Sequence, residues 1–329
     1  MENKDDIMVS VICITYNHEK FLRECLDSMV CQKTTFPFEI IVHDDVSTDG
    51  TIDIINEYKE KYPDLIVPFF EKENQYSKGK SIIEDCVLPF ARGKYVAICE
   101  GDDRWCDKNK LQKQFDFMES HPDYVACFHN SIRHDLSGKK KDETFNKFKK
   151  IIDMPIDVAF LAKVHTSSYF IKKEYNKKLV FGKKCWAGDR VTITSLFTYG
   201  KLAVLPDVMS VYNNNNVAGV MKSKVNKSIE DTICNAQVLI DYYKKYNEYT
   251  QKKYDQFIVS TYCLIQLYSI YGSKMMLARD NKEYKQAKKE LLSSDAYKYC
   301  MKNCSLIRKT KLFIKFHLPR KVYLLFKGR

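Results

Sequence analysis

The chain has 329 residues, 45% of them hydrophobic and 13% aromatic, which is ample for a packed core and excludes wholesale disorder. Eleven glycines and eight prolines exclude collagen-like and low-complexity sequence. The formal charge is +12, from 54 Lys and Arg against 42 Asp and Glu, a balance that suits polyanionic partners.

Residues 1–8 hold Glu2, Asp5 and Asp6 and no apolar core of a signal peptide, so export is not expected. No run approaches the roughly 18 apolar residues of a spanning helix. Twelve cysteines then read as reduced thiols in a cytoplasmic protein. Cys25, Cys31, Cys99 and Cys127 fall in apolar periodic runs and read as small core residues. Without a CxxC pair, a structural zinc site is not expected.

Residues 9–15 (VSVICIT) form an apolar run that reads as a strand buried on both faces, ending at Tyr16-Asn17. Phe21, Leu22, Cys25, Leu26, Met29 and Val30 recur at helical spacing. Residues 38–42 (FEIIV) are a second strand, ending at His43-Asp44-Asp45, followed by the polar turn 47–51 and a helix stopped by Pro63. Residues 65–70 and 94–99 read as further strands, the latter followed by Glu100-Gly101-Asp102-Asp103. A helix around Leu111, Phe115 and Met118 precedes a strand at 124–128, and 135–150 reads as a charged, mobile surface loop. Strands at 167–172 and 202–212 flank a helix at 189–199, and apolar-periodic, Tyr-rich helices follow from about Ser223. The pattern predicts an α/β domain over 1–222, with a mixed, mostly parallel sheet flanked by helices, and a helical C-terminal region over 223–329.

Ligands of an open α/β sheet sit beyond the carboxyl ends of its strands. Three polar clusters occupy those ends: Thr15-Tyr16-Asn17, His43-Asp44-Asp45 and Glu100-Gly101-Asp102-Asp103. Carboxylates meeting at one rim repel each other, and a divalent cation resolves the conflict. Hard oxygen ligands suit Mg²⁺ or Mn²⁺, which binds through one or two carboxylates plus substrate phosphates. The expected ligand is therefore a nucleoside diphosphate. Neither GxGxxG after the first strand nor GxxxxGK[ST] occurs, so dinucleotide and P-loop readings lose their warrant.

The blocks SVICITYNHEKFLRECLDSM, IIVHDDVSTDGT, ARGKYVAICEGDDRW and GDRVTITSLFTYG resemble the signature segments of the family 2 glycosyltransferases of bacterial polysaccharide synthesis. The likeness covers roughly residues 7–220. It implies a GT-A fold and inverting transfer of a sugar from a nucleoside-diphosphate sugar, UDP first among the nucleotides, to a glycan or lipid-linked acceptor. It also implies roles. Tyr16 would stack on the base, with Thr15 and Asn17 shaping the pocket, and Asp45 would accept from the base edge. Asp102 would lie near ribose and metal, and Asp103 would be the main ligand of Mn²⁺ or Mg²⁺. Asp189 would be the general base, and Trp186 and Glu100 would face the acceptor. One departure is visible: where many relatives carry Tyr-Arg-x-His, this chain has Tyr212-Asn213-Asn214-Asn215-Asn216. That leaves Asn215, Lys222 or Lys224 as candidates for the third contact.

Plainer readings stand beside these. Asp44 reads equally as a turn residue, Asp49 as a turn former, and Asp189 as a helix cap. His43, His129 and His165 read as packed or hydrogen-bonded, and Trp105 as core beside the acidic loop. Residues 165–168 fit an acceptor cleft or simply a strand edge. After Asp295 no acidic residue follows, while Lys and Arg interleave with Leu306, Ile307, Leu312, Phe313 and Phe316. Such a basic amphipathic tail fits an anionic membrane surface, placing the protein peripherally at the inner face of the cell membrane. Two competing readings are a nucleotidyltransferase, for which no Gly-rich, Lys-bearing loop follows the first strand, and a non-catalytic membrane-associated module. No nucleic-acid-reading motif is present.

Overall fold

Alternating apolar strands and amphipathic helices build the first half of the chain. In order come β1 (Val9–Thr15), α1 (Glu19–Val30), β2 (Phe38–Asp44), α2 (Thr51–Lys61), β3 (Ile66–Phe70), β4 (Tyr95–Ile98), β5 (Arg104–Trp105), α3 (Lys110–Ser120) and β6 (Tyr124–Asp135). They are followed by β7 (Glu143–Thr144), β8 (Ile152–Asp153), α4 (Ile156–Phe160), β9 (Phe170–Lys172), α5 (Gly188–Tyr199) and β10 (Lys201–Asn214). The computed structural model describes residues 7–160, 163–179, 181, 185, 187–214 and 228–325.

Among the described residues the strands form one sheet in the order β3-β2-β1-β4-β9-β6-β10-β5, with β7 beside β6 and β8 beside β10. β3, β2, β1 and β4 run parallel. β9 is antiparallel to both β4 and β6, and β6 and β10 are parallel to each other. The mixed sheet matches the expectation. β1 and β4 are almost wholly buried, which is why their sequences are continuous apolar runs rather than alternating ones. α1 covers the sheet through Leu22, Cys25, Leu26 and Met29, the i, i+3, i+4, i+7 stripe of an amphipathic helix.

Two expectations are corrected. Cys31 is exposed: it is the residue that caps α1, one position beyond Val30, so the helical periodicity that buries Cys25 no longer applies to it. Residues 135–150 are not all loop, because Arg133 and Ile132 of β6 pair with Glu143 and Thr144 of β7.

The chain divides into two compact units, Met1–Leu179 with Asp189–Val225, and Val180–Gly188 with Asn226–Arg329. The expected boundary near Lys222 lies outside the described residues. The second unit is helical: α6 (Ile229–Tyr249), α7 (Asp255–Ile265), α8 (Gly272–Leu277), α9 (Asn281–Ser293), α10 (Asp295–Asn303), α11 (Leu306–His317) and α12 (Arg320–Leu325). Ser228 opens α6 with a reciprocal cap, its Oγ accepting from the Asp231 N–H while Asp231 Oδ2 accepts from the Ser228 N–H. Leu267, Met275, Leu291, Cys300, Leu312 and Phe316 form this unit's own core.

Candidate active site

The turn after β1 is tied to the turn after β2. Thr15 Oγ1 donates to the His43 carbonyl and Asp44 Oδ1, both at 3.1 Å. Asn17, at φ +55°, donates its N–H to Ser47 Oγ at 2.8 Å and accepts from the Thr48 N–H at 2.7 Å. Asp44 accepts from the Ser47 N–H at 2.8 Å and from the Ser47 hydroxyl, so its carboxylate organises the turn. Asp49 likewise closes the start of α2, accepting from the Thr51 N–H and hydroxyl. Between them Val46 sits at φ +67°, a conformation that costs a β-branched residue roughly 1–3 kcal/mol and that this network sustains. Tyr16 is left exposed at the rim.

Asp45 is buried. Its Oδ1 accepts from the Gln75 N–H at 2.7 Å and its Oδ2 from the Tyr76 N–H at 3.0 Å. It thus pins residues 75–76 to the end of β2, and lone pairs remain on its carboxylate for a further donor.

Glu100, Asp102 and Asp103 gather at the end of β4, each offering an oxygen within 4.8 Å of the others. Gly101 makes this possible. A Cβ there would lie 2.7 Å from Thr15 Cγ2 and 2.9 Å from His18 Nδ1, so only glycine lets the acidic loop press against the β1 turn. Asp103 is 2% exposed. Its Oδ1 accepts from the Asn213 N–H at 3.0 Å, and the Asn213 side-chain amide donates to the Asp102 carbonyl at 2.8 Å. Asp103 Oδ2 is buried and accepts no hydrogen bond. Burial, with the nearby Asp102, Cys99 and Glu100, pushes the Asp103 carboxyl well above the usual range. An ionised carboxylate in that position is costly unless paired.

A divalent cation fits this set. Oxygens bound at about 2.0–2.6 Å stand about 3 Å apart when adjacent and about 4–5 Å when opposite, and these three carboxylates fall within that limit. His18 stands behind, Nε2 3.9 Å from Asp102 Oδ2. Burial lowers its pKa against the pull of Asp102, Asp49 and Asp44. Trp105 anchors the loop as core, its ring under Lys110 Nζ at 3.9 Å and its Nε1 donating to the Ser167 carbonyl.

Asp189 is exposed in the first turn of α5, where the helix dipole favours its charge. The Tyr169 hydroxyl donates to its carbonyl at 3.5 Å. Burial raises the pKa of Tyr169, and the carboxylates of Asp189, Glu100 and Glu84 add to the effect. Asp189 and Glu100 therefore both act on one buried phenol. Trp186, Asn215, Lys222 and Lys224 lie outside the described residues.

Sequence reasoning missed Asn213 as the clamp on Asp102 and Asp103, although it sits in the Asn-rich stretch noted only for its lack of His. It also missed the position of His165, whose Nδ1 lies 3.6 Å from Asp103 Oδ2. Burial, with Arg133, lowers His165 to about 3. A second group, His43, Glu71 and Cys86, is accounted for by the 3.3 Å contact of His43 Nε2 with Glu71 Oε1. A cavity of about 840 Å³ lies elsewhere, beside Lys94 and Glu119, which already pair with each other; none of the strand-end acids lines it.

The family described as "Glycosyl transferase family 2" matches residues 10–182. An uncharacterized protein of Mycobacterium tuberculosis is 35% identical over 209 residues, 63% of this chain and 59% of its own length. The UDP-Glc:alpha-D-GlcNAc-diphosphoundecaprenol beta-1,3-glucosyltransferase of Escherichia coli is 34% identical over 129 residues, 39% of this chain and 48% of its own. The chain thus spans less than two thirds of the length of the curated relatives it matches. A crystal structure of TarS 1-349 from S. aureus in complex with UDP-GlcNAc superposes with a TM-score of 0.65 at 20% identity, over 98% of this chain and 92% of that one. This likeness is one of fold.

Proposed function

The chain belongs to glycosyl transferase family 2, and from that premise we propose that it is an inverting, metal-dependent transferase. It moves a sugar from a UDP-sugar to a hydroxyl of a glycan or lipid-linked acceptor in surface polysaccharide synthesis. The observation that carries this reading is the buried, unpartnered Oδ2 of Asp103 beside Asp102 and Glu100. The names of the matched relatives, a UDP-glucose enzyme with a diphosphoundecaprenol acceptor among them, support the donor and acceptor classes.

The residues divide the work. Thr15, Tyr16, Asn17 and Asp45 surround the nucleobase, with Tyr16 free to stack on it. Asp102 meets the ribose, and Asp103 with Asp102 holds Mn²⁺ or Mg²⁺ at the diphosphate. The metal, when bound, acts as a Lewis acid that offsets the charge on the departing diphosphate. Asp189 takes the proton from the acceptor hydroxyl as it attacks the anomeric carbon opposite the leaving group. Glu100 and Trp186 face the acceptor.

Thermal melting with UDP, GDP and dTDP, each with and without Mn²⁺, tests this. At a hundredfold excess over Kd one nucleotide should add roughly 2.7 kcal/mol, a rise of about 5 °C or more, and only with the metal present. No shift with any nucleotide would refute the reading and favour a non-catalytic module.

The same proposal places the protein on a membrane. Among the described residues no helix is long and apolar enough to cross one. α11 buries Leu312 and Phe316 and leaves Leu306, Ile307, Phe313 and Ile314 exposed, interleaved with Arg308, Lys309, Lys311 and Lys315. An apolar stripe within basic residues is complementary to an anionic lipid surface. The full chain should float with phosphatidylglycerol vesicles, not with phosphatidylcholine vesicles, and detach in high salt. Ile307→Glu with Phe313→Glu should weaken that binding about tenfold or more, since each side chain contributes about 1.5–3 kcal/mol of burial. Equal flotation of wild type and variant would remove α11 from the proposal.

A further inference from the structure

The last strand carries no histidine after Tyr212 and so offers the metal site no nitrogen ligand. Asn213 donates its amide nitrogen to the Asp102 carbonyl and keeps a buried Oδ1 without a hydrogen bond, but a carbonyl-type oxygen serves Mg²⁺ as readily as Mn²⁺. His165 reaches the same place from another direction, the segment that leads into β9.

Its ring is held on several sides. It stacks on Tyr212 of β10, with centroids 4.2 Å apart and planes 27° apart. Nδ1 meets Ser167 Oγ at 2.8 Å, and that hydroxyl joins Ser210 Oγ and, through it, Ser131 Oγ. The turn at Thr166–Ser168 and the strands β10 and β6 therefore fix the ring's direction. Nδ1 is also 3.3 Å from the Ser167 N–H, beyond the usual hydrogen-bond range, so its lone pair is engaged by the Ser167 hydroxyl, whose proton can turn to Ser210 Oγ instead and leave Nδ1 to a cation. That lone pair lies 3.6 Å from Asp103 Oδ2, the oxygen that accepts no hydrogen bond. Two buried acceptors at that separation repel unless a positive charge lies between them. Ligand atoms about 2.1 Å from one ion stand about 3.0 Å apart at a right angle and about 3.6 Å apart when the angle opens toward 115°. The pair already has the spacing of adjacent ligands.

We propose that His165 is a direct ligand of the catalytic cation, together with Asp103, and that its nitrogen makes the site prefer Mn²⁺ over Mg²⁺. The inference rests on the metal-dependent reading above. Carboxylates accept either ion, whereas imidazole adds affinity for transition metals and little for Mg²⁺. A ligand drawn from the β9 side thus sets which ion is held, while the acidic loop sets that one is held.

The test is Mn²⁺ binding to the full chain with UDP, followed by electron paramagnetic resonance, with Mg²⁺ affinity from competition. It compares wild type with His165→Ala and His165→Asn; Asn keeps an acceptor for the Ser167 N–H and decides the question if the Ala variant does not fold. Both variants should lose about tenfold or more in Mn²⁺ affinity and less than about threefold in Mg²⁺ affinity. The spin-echo modulation of a coordinated imidazole nitrogen, present in wild type, should vanish. Unchanged Mn²⁺ affinity in a folded variant, or equal loss for both ions, would overturn the proposal and leave the transferase reading intact. A wild-type chain that binds neither ion with UDP would overturn both.

Discussion

Asp103→Asn should abolish metal-dependent stabilisation by nucleotide and reduce sugar transfer about a thousandfold or more. The metal is asked to supply several kcal/mol of transition-state stabilisation, and each 1.4 kcal/mol or so is a factor of ten. The fold should survive. Asparagine keeps the oxygen that accepts from the Asn213 N–H at 3.0 Å, and its amide would face His165 Nδ1 where Asp103 Oδ2 now accepts nothing. Exchanging a buried, unpaired carboxylate for an amide with a partner should therefore raise the melting temperature of the metal-free protein. Melting curves with and without Mn²⁺ and UDP, read beside a transfer assay, separate these effects. A variant that still responds to Mn²⁺ as wild type does would show that Asp103 is not the main ligand.

Asp189→Asn should do the opposite kind of damage, leaving the nucleotide-induced melting shift unchanged while transfer falls about 10²–10⁴-fold, the usual worth of a general base. The side chain is exposed at the start of α5, so the stability cost is confined to the helix-dipole contribution of roughly 0.3–1 kcal/mol. The contact with Tyr169 uses the backbone carbonyl of residue 189 and is unaffected by the change. Single-turnover transfer at saturating donor is the measurement. Loss of donor binding would reassign Asp189 to the nucleotide, and unchanged transfer would remove it from the chemistry.

Glycine at 101 shows how a local reading and a tertiary one differ. In the sequence it is one of four residues after a strand. In the structure it is the point where the acidic loop meets Thr15 and His18 too closely for any Cβ. Asp44 and Asp45 are adjacent carboxylates at one strand end, Asp44 reading equally as a turn residue and Asp45 as a contact to the base. Asp44 turns back onto Ser47, whereas Asp45 reaches the N–H groups of Gln75 and Tyr76 about thirty positions away. Their separate partners depend on where residues 74–76 come to lie, which no periodicity near position 45 encodes.

The order of strands and helices, the buried character of β1, β2 and β4, and the placing of acidic residues at strand ends were all legible in the chain itself. They rest on short-range features: apolar runs, helical spacing and turn residues within a few positions of one another. What the tertiary structure alone decided is the surroundings of Asp103. Asn213 and His165 reach it from 110 and 62 positions away in the sequence, through the register of β10 on β6 and the antiparallel insertion of β9 between β4 and β6. Hydrogen bonds and ligand spacing act over about 3 Å, and only sheet pairing brings such distant residues within that range.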